Sequence, residues 1–160
     1  MPILHLQYAA ELKTPDGKTV KVHPAASLHQ RGPVIQVTAT IEQNAGKALL
    51  AKGVALPTPK SGLALIDTGA SNTCIDDDVA RELGLPVIDI AHMQSASHAK
   101  HQCNVYPVTI DIPGVVNLNS PRTMGAALAG QGLLALIGRD VLGRCTLFYN
   151  GPLGQITLSI

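Results

Sequence analysis

Short apolar runs bounded by turn residues recur along the chain, and this pattern predicts a fold built mainly from β-strands. Val34–Ile41 is rich in β-branched residues, and Val105–Ile112 alternates apolar with polar residues from Val108 onward. Pro107 lacks a backbone donor, which predicts that part of the second of these strands lies at a sheet edge. Further strands are expected at Leu63–Ile66, Val87–Ile90, Thr146–Tyr149 and Gln155–Ile160.

The N-terminal residues show a pattern of their own. Two strands are expected, around Ile3–Leu12 and Thr19–His23, with Thr14–Gly17 between them. The Pro-Asp-Gly sequence there favours a turn, because proline fixes φ and glycine adopts positive φ. We therefore predict an N-terminal extension over residues 1–33 that contains a β-hairpin, followed by a core over residues 34–160. No repeat or linker interrupts the pattern, which indicates a single domain over residues 1–160.

Only short segments of the sequence are typical of helices. Asp76–Gly84 begins with three acids, which the helix dipole favours in a first turn, and ends with a glycine. This pattern predicts a helix of about two turns with Asp76 as its N-cap. We prefer this interpretation of the three acids to a metal site. Residues 42–60 are predicted to be mostly loop, and residues 117–132 a loop or weak helix, because turn-forming and small residues are frequent in them.

Residues 91–104 are polar and lie between two predicted strands, which indicates a hairpin with a polar tip. His98, His101 and Cys103 in this stretch are residue types that bind transition metals. They lack the spaced pairs of a structural zinc site, so a polar tip is the favoured interpretation. Neither a metal site nor a cofactor is predicted.

Composition excludes several classes of function. The 160 residues are 46% hydrophobic and 14% charged, which fits a folded domain with a substantial core. A net charge of +1 and a scarcity of aromatic residues argue against nucleic-acid binding. No apolar run approaches the roughly 20 residues of a membrane helix, and no signal peptide is visible. Three cysteines are too few and odd in number for a disulfide framework, so we expect a reducing compartment, the cytoplasm.

One carboxylate stands at an unusual place in this pattern. Four apolar residues, Leu63–Ile66, run directly into Asp67, and Thr-Gly-Ala-Ser follows as a turn. An ionised carboxylate next to a buried strand is costly unless it is hydrogen-bonded or paired. Charged groups retained at such places are candidates for function, although a structural aspartate that caps the turn is the alternative.

This stretch resembles the active-site loop of aspartic peptidases, and two motifs together resemble the retropepsin-like (retroviral-type) family. One motif is Asp67–Ala70 after its apolar strand. The other is Leu136-Ile137-Gly138-Arg139-Asp140-Val141-Leu142, an apolar pair followed by Gly and a short helical pattern. Between them lie Leu83–Pro86 and a hairpin at the position of the family's flap. The resemblance implies a closed or partly open β-barrel with one or two short helices, present as a homodimer.

The resemblance also implies an activity, hydrolysis of peptide bonds by water held between two aspartates. The chain contains the Asp-Thr/Ser-Gly motif once, so Asp67 must meet Asp67 of a second copy. An extended peptide is the implied substrate. The alternative is a dimeric peptide-binding module of the same fold with weak catalysis. Ser71 and a flap tip without glycine motivate that alternative.

Roles for the other residues follow from the resemblance. Thr68 would hydrogen-bond across the dimer axis, and Gly69 would let the backbone approach the substrate. The residues implied to bind substrate are Ala70, Ser71, Ser95, Ala96, Ser97 and His98. Structural support is implied for Ile137, Gly138 and Arg139.

Two departures from the family pattern leave questions open. Viral members often carry an aspartate at the position of Ser71, paired with the arginine of the short helix. Arg139 must therefore find another partner, and Asp140, Asp76 and a carbonyl group are the alternatives. The last strand, Gln155–Ile160, is expected either to join a dimer sheet or to dock on its own core.

Overall fold

Strands account for most of the regular structure. The structure, a computed structural model, describes residues 2–93 and 101–160. The strands are β1 (Ile3–Gln7), β2 (Ala10–Lys13), β3 (Thr19–Val22), β4 (Val34–Ile41), β5 (Lys60–Ile66), β6 (Cys74–Asp76), β7 (Asp89–Met93), β8 (His101–Ile112), β9 (Val116–Ala126), β10 (Ala135–Ile137), β11 (Thr146–Asn150) and β12 (Gln155–Ser159). The α-helices are α1 (Pro24–Arg31), α2 (Gln43–Ala51), α3 (Asp77–Glu82) and α4 (Arg139–Leu142), and a short 3-10 helix covers Ala129–Gln131.

Six strands close into a barrel. They follow the order β4-β5-β10-β6-β9-β8, and β8 pairs back onto β4. The inward side chains form the core, as β4 illustrates: Val37, Ala39 and Ile41 are buried, whereas Gln36 is exposed. The mainly β, barrel-type fold implied by the resemblance is therefore confirmed. Within the described residues, no helix is long and apolar enough to cross a membrane.

The N-terminal residues form two pairings where the pattern predicted one. β2 and β3 make the expected hairpin, and Gly17 has a φ of +80° in its turn. β1, however, pairs with β12 at the other end of the chain. Tyr8 separates β1 from β2, because its backbone N–H donates to Gly154 O at 2.8 Å and its hydroxyl donates to Val34 O at 2.6 Å. Burial raises the pKa of Tyr8 to about 12, so this hydroxyl remains a donor.

Two helices lie where the sequence pattern did not predict them. α1 follows β3, and its Leu28 is fully buried in the same core as the barrel residues. α2 occupies much of residues 42–60, so the prediction of a mostly loop segment was wrong. Glu42 caps α2, since its Oε2 accepts from the N–H groups of Asn44 and Ala45, each at 2.9 Å. Gly46 weakens a helix intrinsically, but it is buried here, and a Cβ at this position would lie only 3.3 Å from Ile41 Cγ2, so the tight packing favours glycine.

Residues 117–132 also differ from the prediction of a loop or weak helix. β9 takes up most of them and pairs with β8 along nearly its whole length. Its alternating exposed and half-buried side chains are polar enough to hide the strand from a purely local pattern. The barrel supplies the missing stabilisation through non-local pairing.

Two predictions for the hairpin of β7 and β8 were wrong. β7 begins at Asp89, two residues later than the predicted strand Val87–Ile90. Pro107 does not mark a sheet edge: it lies at a register shift in β8, where the pairing partner changes from β7 to β4. The missing N–H therefore falls where the hydrogen-bond ladder is interrupted. The predicted tip, including Ser95, Ala96, Ser97 and His98, lies outside the described residues.

The last strand is the centre of a three-stranded sheet in the order β1-β12-β11. Both of its edges are paired within the chain, and Ile156 and Leu158 are buried. β12 thus docks on its own core and does not offer a free edge to a partner. The outer edges of this sheet belong to β1 and β11.

Asp76 is confirmed as the N-cap of α3, and its carboxylate also binds a second segment of the chain. Asp76 is 2% exposed, and its Oδ1 accepts from the N–H groups of Asp78 and Val79 at 3.0 and 3.1 Å. Its Oδ2 accepts from Leu128 and Ala129 at 2.7 and 2.8 Å. The one carboxylate therefore joins the start of α3 to the loop after β9.

Replacing Asp76 with alanine leaves four backbone donors without their acceptor. We expect Asp76→Ala to lower the free energy of unfolding by about 3 kcal/mol, measured by urea denaturation. Asp78→Ala is the matched control, since Asp78 is exposed in the same helical turn and pairs with Arg81 at the surface. It should cost less than about 1 kcal/mol. Equal losses for the two variants would contradict the structural role of Asp76.

Glu42 provides a pH-dependent test of the α2 cap. The N–H groups of Asn44 and Ala45 hold the pKa of Glu42 below its ordinary value of 4.5. The ionised cap therefore stabilises the fold above pH 4.5, and this contribution is lost as pH falls through the lowered pKa. Glu42→Gln should cost about 1 kcal/mol at pH 7, and the difference from wild type should shrink toward about pH 3.

Glu82→Gln controls for a general effect of removing a carboxylate, because Glu82 is exposed and pairs with Lys60 on the surface. A difference between wild type and Glu42→Gln that stays constant over the whole pH range would contradict the assigned role of the Glu42 carboxylate.

Candidate active site

The candidate site lies where two parallel strands end. β5 and β10 pair in register, with Ile66 opposite Ile137. The next residue after β5 is Asp67, whose N–H donates to Ile137 O at 3.0 Å. The next residue after β10 is Gly138. The two motifs that lie far apart in the sequence are therefore brought together by a single strand pair.

The loop after β5 wraps around the Asp67 carboxylate. Oδ1 accepts from the N–H groups of Gly69 and Ala70 at 2.8 and 3.2 Å. A Cβ on residue 69 would lie 3.1 Å from this oxygen, a tighter contact than side chains normally make, so glycine suits the position. Asp67 itself is half-buried, and within the described residues its Oδ2 accepts no hydrogen bond. One oxygen is thus fixed by the backbone, and the other is available to a reactant.

Gly138 is required where the two loops cross. A Cβ there would lie 2.5 Å from Asn72 C and 2.8 Å from Thr73 N. Both contacts are with backbone, which cannot move aside as a side chain can. The Leu-Ile-Gly sequence thus has a structural reason: Ile137 is buried in the barrel core, Leu136 is partly buried on the other face of β10, and glycine lets the second loop pass against the first.

A second connection between the loops was not predicted from the sequence. Asp140 accepts from Thr73 N–H at 2.9 Å and from the Thr73 hydroxyl at 2.8 Å. The Thr73 hydroxyl in turn accepts from Gly138 N–H at 3.1 Å. Thr73 is 8% exposed. No local pattern points to this pair, because 67 residues separate Thr73 from Asp140; the acid looks like ordinary helix-start chemistry.

Arg139 finds its partners among backbone carbonyl groups. Its Nη1 donates to Thr68 O at 2.7 Å and to Gly69 O at 2.8 Å, and its Nη2 donates to Ser71 Oγ at 2.7 Å. Of the alternatives left open by the sequence, a carbonyl group is correct, and Ser71 itself is a partner. The guanidinium therefore braces the back of the Asp67 loop without a carboxylate.

A cavity of about 530 Å³ opens beside Asp67. Gly69, Ala70 and Ser71 line it, whereas Thr68 is exposed outside its lining. Ile137 is buried beneath the loop. The lining residues that sequence reasoning did not select come from the loop, β6, β7, β9 and β10, and they are Asn72, Cys74, His92, Met93, Met124, Ala126 and Leu136.

Cys74 is the one thiol in this lining. Burial, together with the smaller effects of nearby Cys103, Asp140 and Asp67, raises the pKa of Cys74 to about 12. The thiol stays protonated and is a poor nucleophile, which agrees with its interpretation as a small buried residue. Within residues 2–93 and 101–160, no group of three or more His, Cys, Asp or Glu side chains could hold a metal ion.

The Arg139 contacts predict a coupling that can be measured. Ser71→Asp places a carboxylate against the guanidinium and should stabilise the protein by about 0.5 to 1 kcal/mol in urea unfolding. The same substitution in an Arg139→Met background should give no gain, because its partner is gone. An equal gain in both backgrounds would contradict the contact between Arg139 and residue 71.

Known proteins with similarity to this chain include solved structures and a family model. The structure is similar to a retropepsin-like aspartic protease from Rickettsia conorii, with 14% identity, a TM-score of 0.44 and coverage of 98% of this chain and 91% of that one. It is also similar to the retroviral protease-like domain of Ddi1 from Leishmania major, with 16% identity, a TM-score of 0.38 and coverage of 73% and 81%. No curated protein sequence matches the chain. The family model described as gag-polyprotein putative aspartyl protease matches residues 60–144, more than half of the chain. The chain therefore belongs to this retropepsin-like aspartyl protease family.

Proposed function

We propose that the protein is an aspartic endopeptidase in which Asp67 residues of two identical chains hold and activate one water molecule. The observation that supports this proposal is the environment of the Asp67 carboxylate. One carboxylate oxygen is bound by two backbone N–H groups, and the carboxylate lines a cavity large enough for a peptide segment. A structural aspartate that only capped its turn would not need to face such a cavity.

Chemistry at this site requires a second carboxylate. Two carboxylates in contact share one proton, as aspartic proteases do, because two like charges so close together cannot both persist. The ionised one accepts a proton from the water as the water oxygen attacks the scissile carbonyl carbon. The protonated one donates to the carbonyl oxygen as it gains negative charge. Collapse of the tetrahedral intermediate then releases the amine, which takes up the proton that the first carboxylate removed from water, while the second carboxylate regains a proton from a hydroxyl of the intermediate.

The surroundings of Asp67 suit this division of labour. The N–H groups of Gly69 and Ala70 orient the carboxylate before substrate arrives, so no reorganisation is needed at the moment of reaction. Cys74 is uncharged and does not compete as a nucleophile. Arg139 donates to the carbonyl groups of Thr68 and Gly69 and to Ser71 Oγ. Its guanidinium therefore holds the loop in place.

The cavity lining favours an extended peptide with apolar side chains. Met93, Met124 and Leu136 form apolar walls around the polar loop. Methionine adapts its shape to different apolar side chains, which predicts a broad rather than a narrow preference. The flap role of Ser95, Ala96, Ser97 and His98 remains a prediction, since only the base of that hairpin is described, where Met93 pairs with His101.

An exposed edge supports assembly into a homodimer. β11 pairs with β12 on one side only within the described residues. Its Phe148 is 61% exposed and Tyr149 is 48% exposed, in a chain that has one Phe and three Tyr. Open strand edges with large apolar side chains are surfaces that proteins cover. We propose that the second copy covers this edge and brings its own Asp67 to the shared site, with Thr68 bonding across the axis.

One of the two observations that favoured the peptide-binding alternative no longer supports it. Ser71 in place of an aspartate suggested a weakened loop, but Ser71 accepts directly from Arg139 and leaves the loop fully braced. We therefore favour catalysis. A reducing, cytoplasmic location remains our expectation and is consistent with three free cysteines.

The proposal predicts that cleavage depends on Asp67. Asp67→Asn should lower kcat/KM by about 10⁴-fold, because it removes the proton acceptor while keeping the shape of the side chain. The measurement is mass spectrometry of cleaved peptides from a library between about pH 4 and pH 7, with sedimentation of the same samples. A statin-type transition-state mimic should block cleavage by wild type.

Asp111→Asn is the matched control, since Asp111 lies on β8 away from the cavity lining and should leave cleavage unchanged. Cleavage that survives in Asp67→Asn would overturn the assignment. Saturable peptide binding by wild type without cleavage at any pH would establish the binding module instead.

A further inference from the structure

A second cavity, of about 660 Å³, lies beside the N-terminal extension. The β2–β3 hairpin contributes the apolar residues Ala10, Leu12 and Val22 to its lining, and β5 contributes Leu63 and Leu65. α1 and the segment between β9 and β10 complete the lining. The cavity therefore separates apolar side chains of the hairpin from an apolar part of the barrel surface.

The hairpin has one apolar face. Leu12 lies opposite Val20 on this face, whereas Glu11 lies opposite Lys21 on the other. Leu12 is 59% exposed and Val20 is 49% exposed. Leu12 lines the cavity, and Val20 does not. Adjacent exposed apolar side chains favour contact with an apolar ligand, and Leu12 is the one placed to make it.

One row of side chains leads from this cavity to the cavity beside Asp67. Val34 of β4 lies opposite Leu65 of β5, and Leu65 lies opposite Leu136 of β10. Leu136 in turn lies opposite Cys74 of β6, which lies opposite Met124 of β9. Val34 and Leu65 line the second cavity. The other three line the cavity beside Asp67, so the two cavities occupy neighbouring parts of one surface.

Burial along the strands shows which face this row occupies. Ile66 and Ile137 are buried in the barrel core, whereas Leu65 and Leu136 are only partly buried. Because side chains alternate along a strand, Leu65 and Leu136 project outward from the barrel. Paired strands lie about 4.8 Å apart, so these two side chains are direct neighbours and one bound molecule can contact both.

We propose that the second cavity is a distal subsite, lined by Leu12, Leu63 and Leu65, that binds the part of a peptide substrate extending beyond the candidate active site. Val34 lies two strands away from Leu136, a distance of about 10 Å, and an extended peptide covers it in about three residues. The apolar lining selects an apolar side chain at that position. The inference rests on the proposed binding of peptides beside Asp67 and adds a second determinant of specificity.

The distal subsite gives the N-terminal extension a role. β2, β3 and α1 form walls of the subsite, whereas the strands that lead into Asp67 and Gly138 belong to the barrel. β2 and β3 pair only with each other within the described residues, and an isolated two-stranded hairpin is marginally stable. A bound peptide would therefore also join the hairpin to β5.

The test compares two peptides of equal length that share one central sequence, taken from the library peptide that binds the full-length Asp67→Asn chain most tightly. One peptide carries leucine about three residues beyond this sequence on either side, and the other carries serine there. Affinity is measured by isothermal titration of the Asp67→Asn chain, and kcat/KM is measured with wild type. We expect the leucine peptide to bind about ten-fold more tightly, because its distal side chain leaves water.

Two matched variants of the hairpin locate this preference. In the Asp67→Asn background, Leu12→Asp places a charge in the apolar lining and should reduce the preference for leucine to about two-fold or less. Val20→Asp places the same charge on the opposite strand, outside the lining, and should keep the preference. Gln131→Trp narrows the cavity without changing the hairpin and should also reduce the preference.

The outcomes separate the distal subsite from the peptidase activity. A leucine peptide that binds no more tightly than the serine peptide, or an equal loss of preference in Leu12→Asp and Val20→Asp, would overturn the subsite whether or not wild type cleaves either peptide. A preference that depends on Leu12, without cleavage by wild type at any pH, would support the subsite and overturn the peptidase. Loss of the dimer in Leu12→Asp alone, measured by sedimentation, would assign this surface to the second copy and overturn the subsite.

Discussion

The structure depends on one backbone crossing. β5 and β10 run parallel through the core, and the loops that follow them pass so closely that only glycine fits at position 138. Everything at the site is positioned by this crossing. Asp67 N–H bonds to Ile137 O, Arg139 N–H bonds to Ala70 O, and the Thr73–Asp140 pair joins the far sides of the loops. The carboxylate is therefore held by two strands whose inward side chains, among them Ile66 and Ile137, are buried in the core.

This arrangement resolves a conflict between stability and chemistry. A reactive carboxylate needs a defined position, yet a fully buried one would be costly to ionise. Here the apolar strand ends at Ile66, one residue before Asp67, and the loop supplies two N–H groups to one oxygen of the carboxylate. Asp67 also lines the cavity, where the proposed partner copy would meet it. Rigidity comes from the barrel, and the carboxylate stays only half-buried.

The sequence pattern predicted those elements of the fold that are determined by residues close together in the chain. The bounds of β4, the cap at Asp76 and the hairpin turn at Gly17 follow from β-branched content, helix-start acids and turn residues. Asp67 could be selected because it stands at the end of an apolar run, and Gly138 could be selected through the resemblance of its motif to the family.

Parts held by distant contacts could not be predicted in this way. α2 is stabilised by the Glu42 cap and by contact with β9, where Asn119 donates to Glu42 at 2.8 Å. β9 is a polar strand that depends on pairing with β8. The partners of Arg139 are carbonyl groups, which leave no trace in side-chain patterns.

The central claim is that one Asp67 is inactive until a second chain supplies the other. Wild-type and Asp67→Asn chains can be mixed in varying ratio at constant total concentration, allowed to exchange, and assayed for peptide cleavage. If the site is shared, activity falls with the square of the wild-type fraction, so an equal mixture retains about a quarter of it. Activity that falls in direct proportion, with about half remaining in the equal mixture, would contradict the shared site.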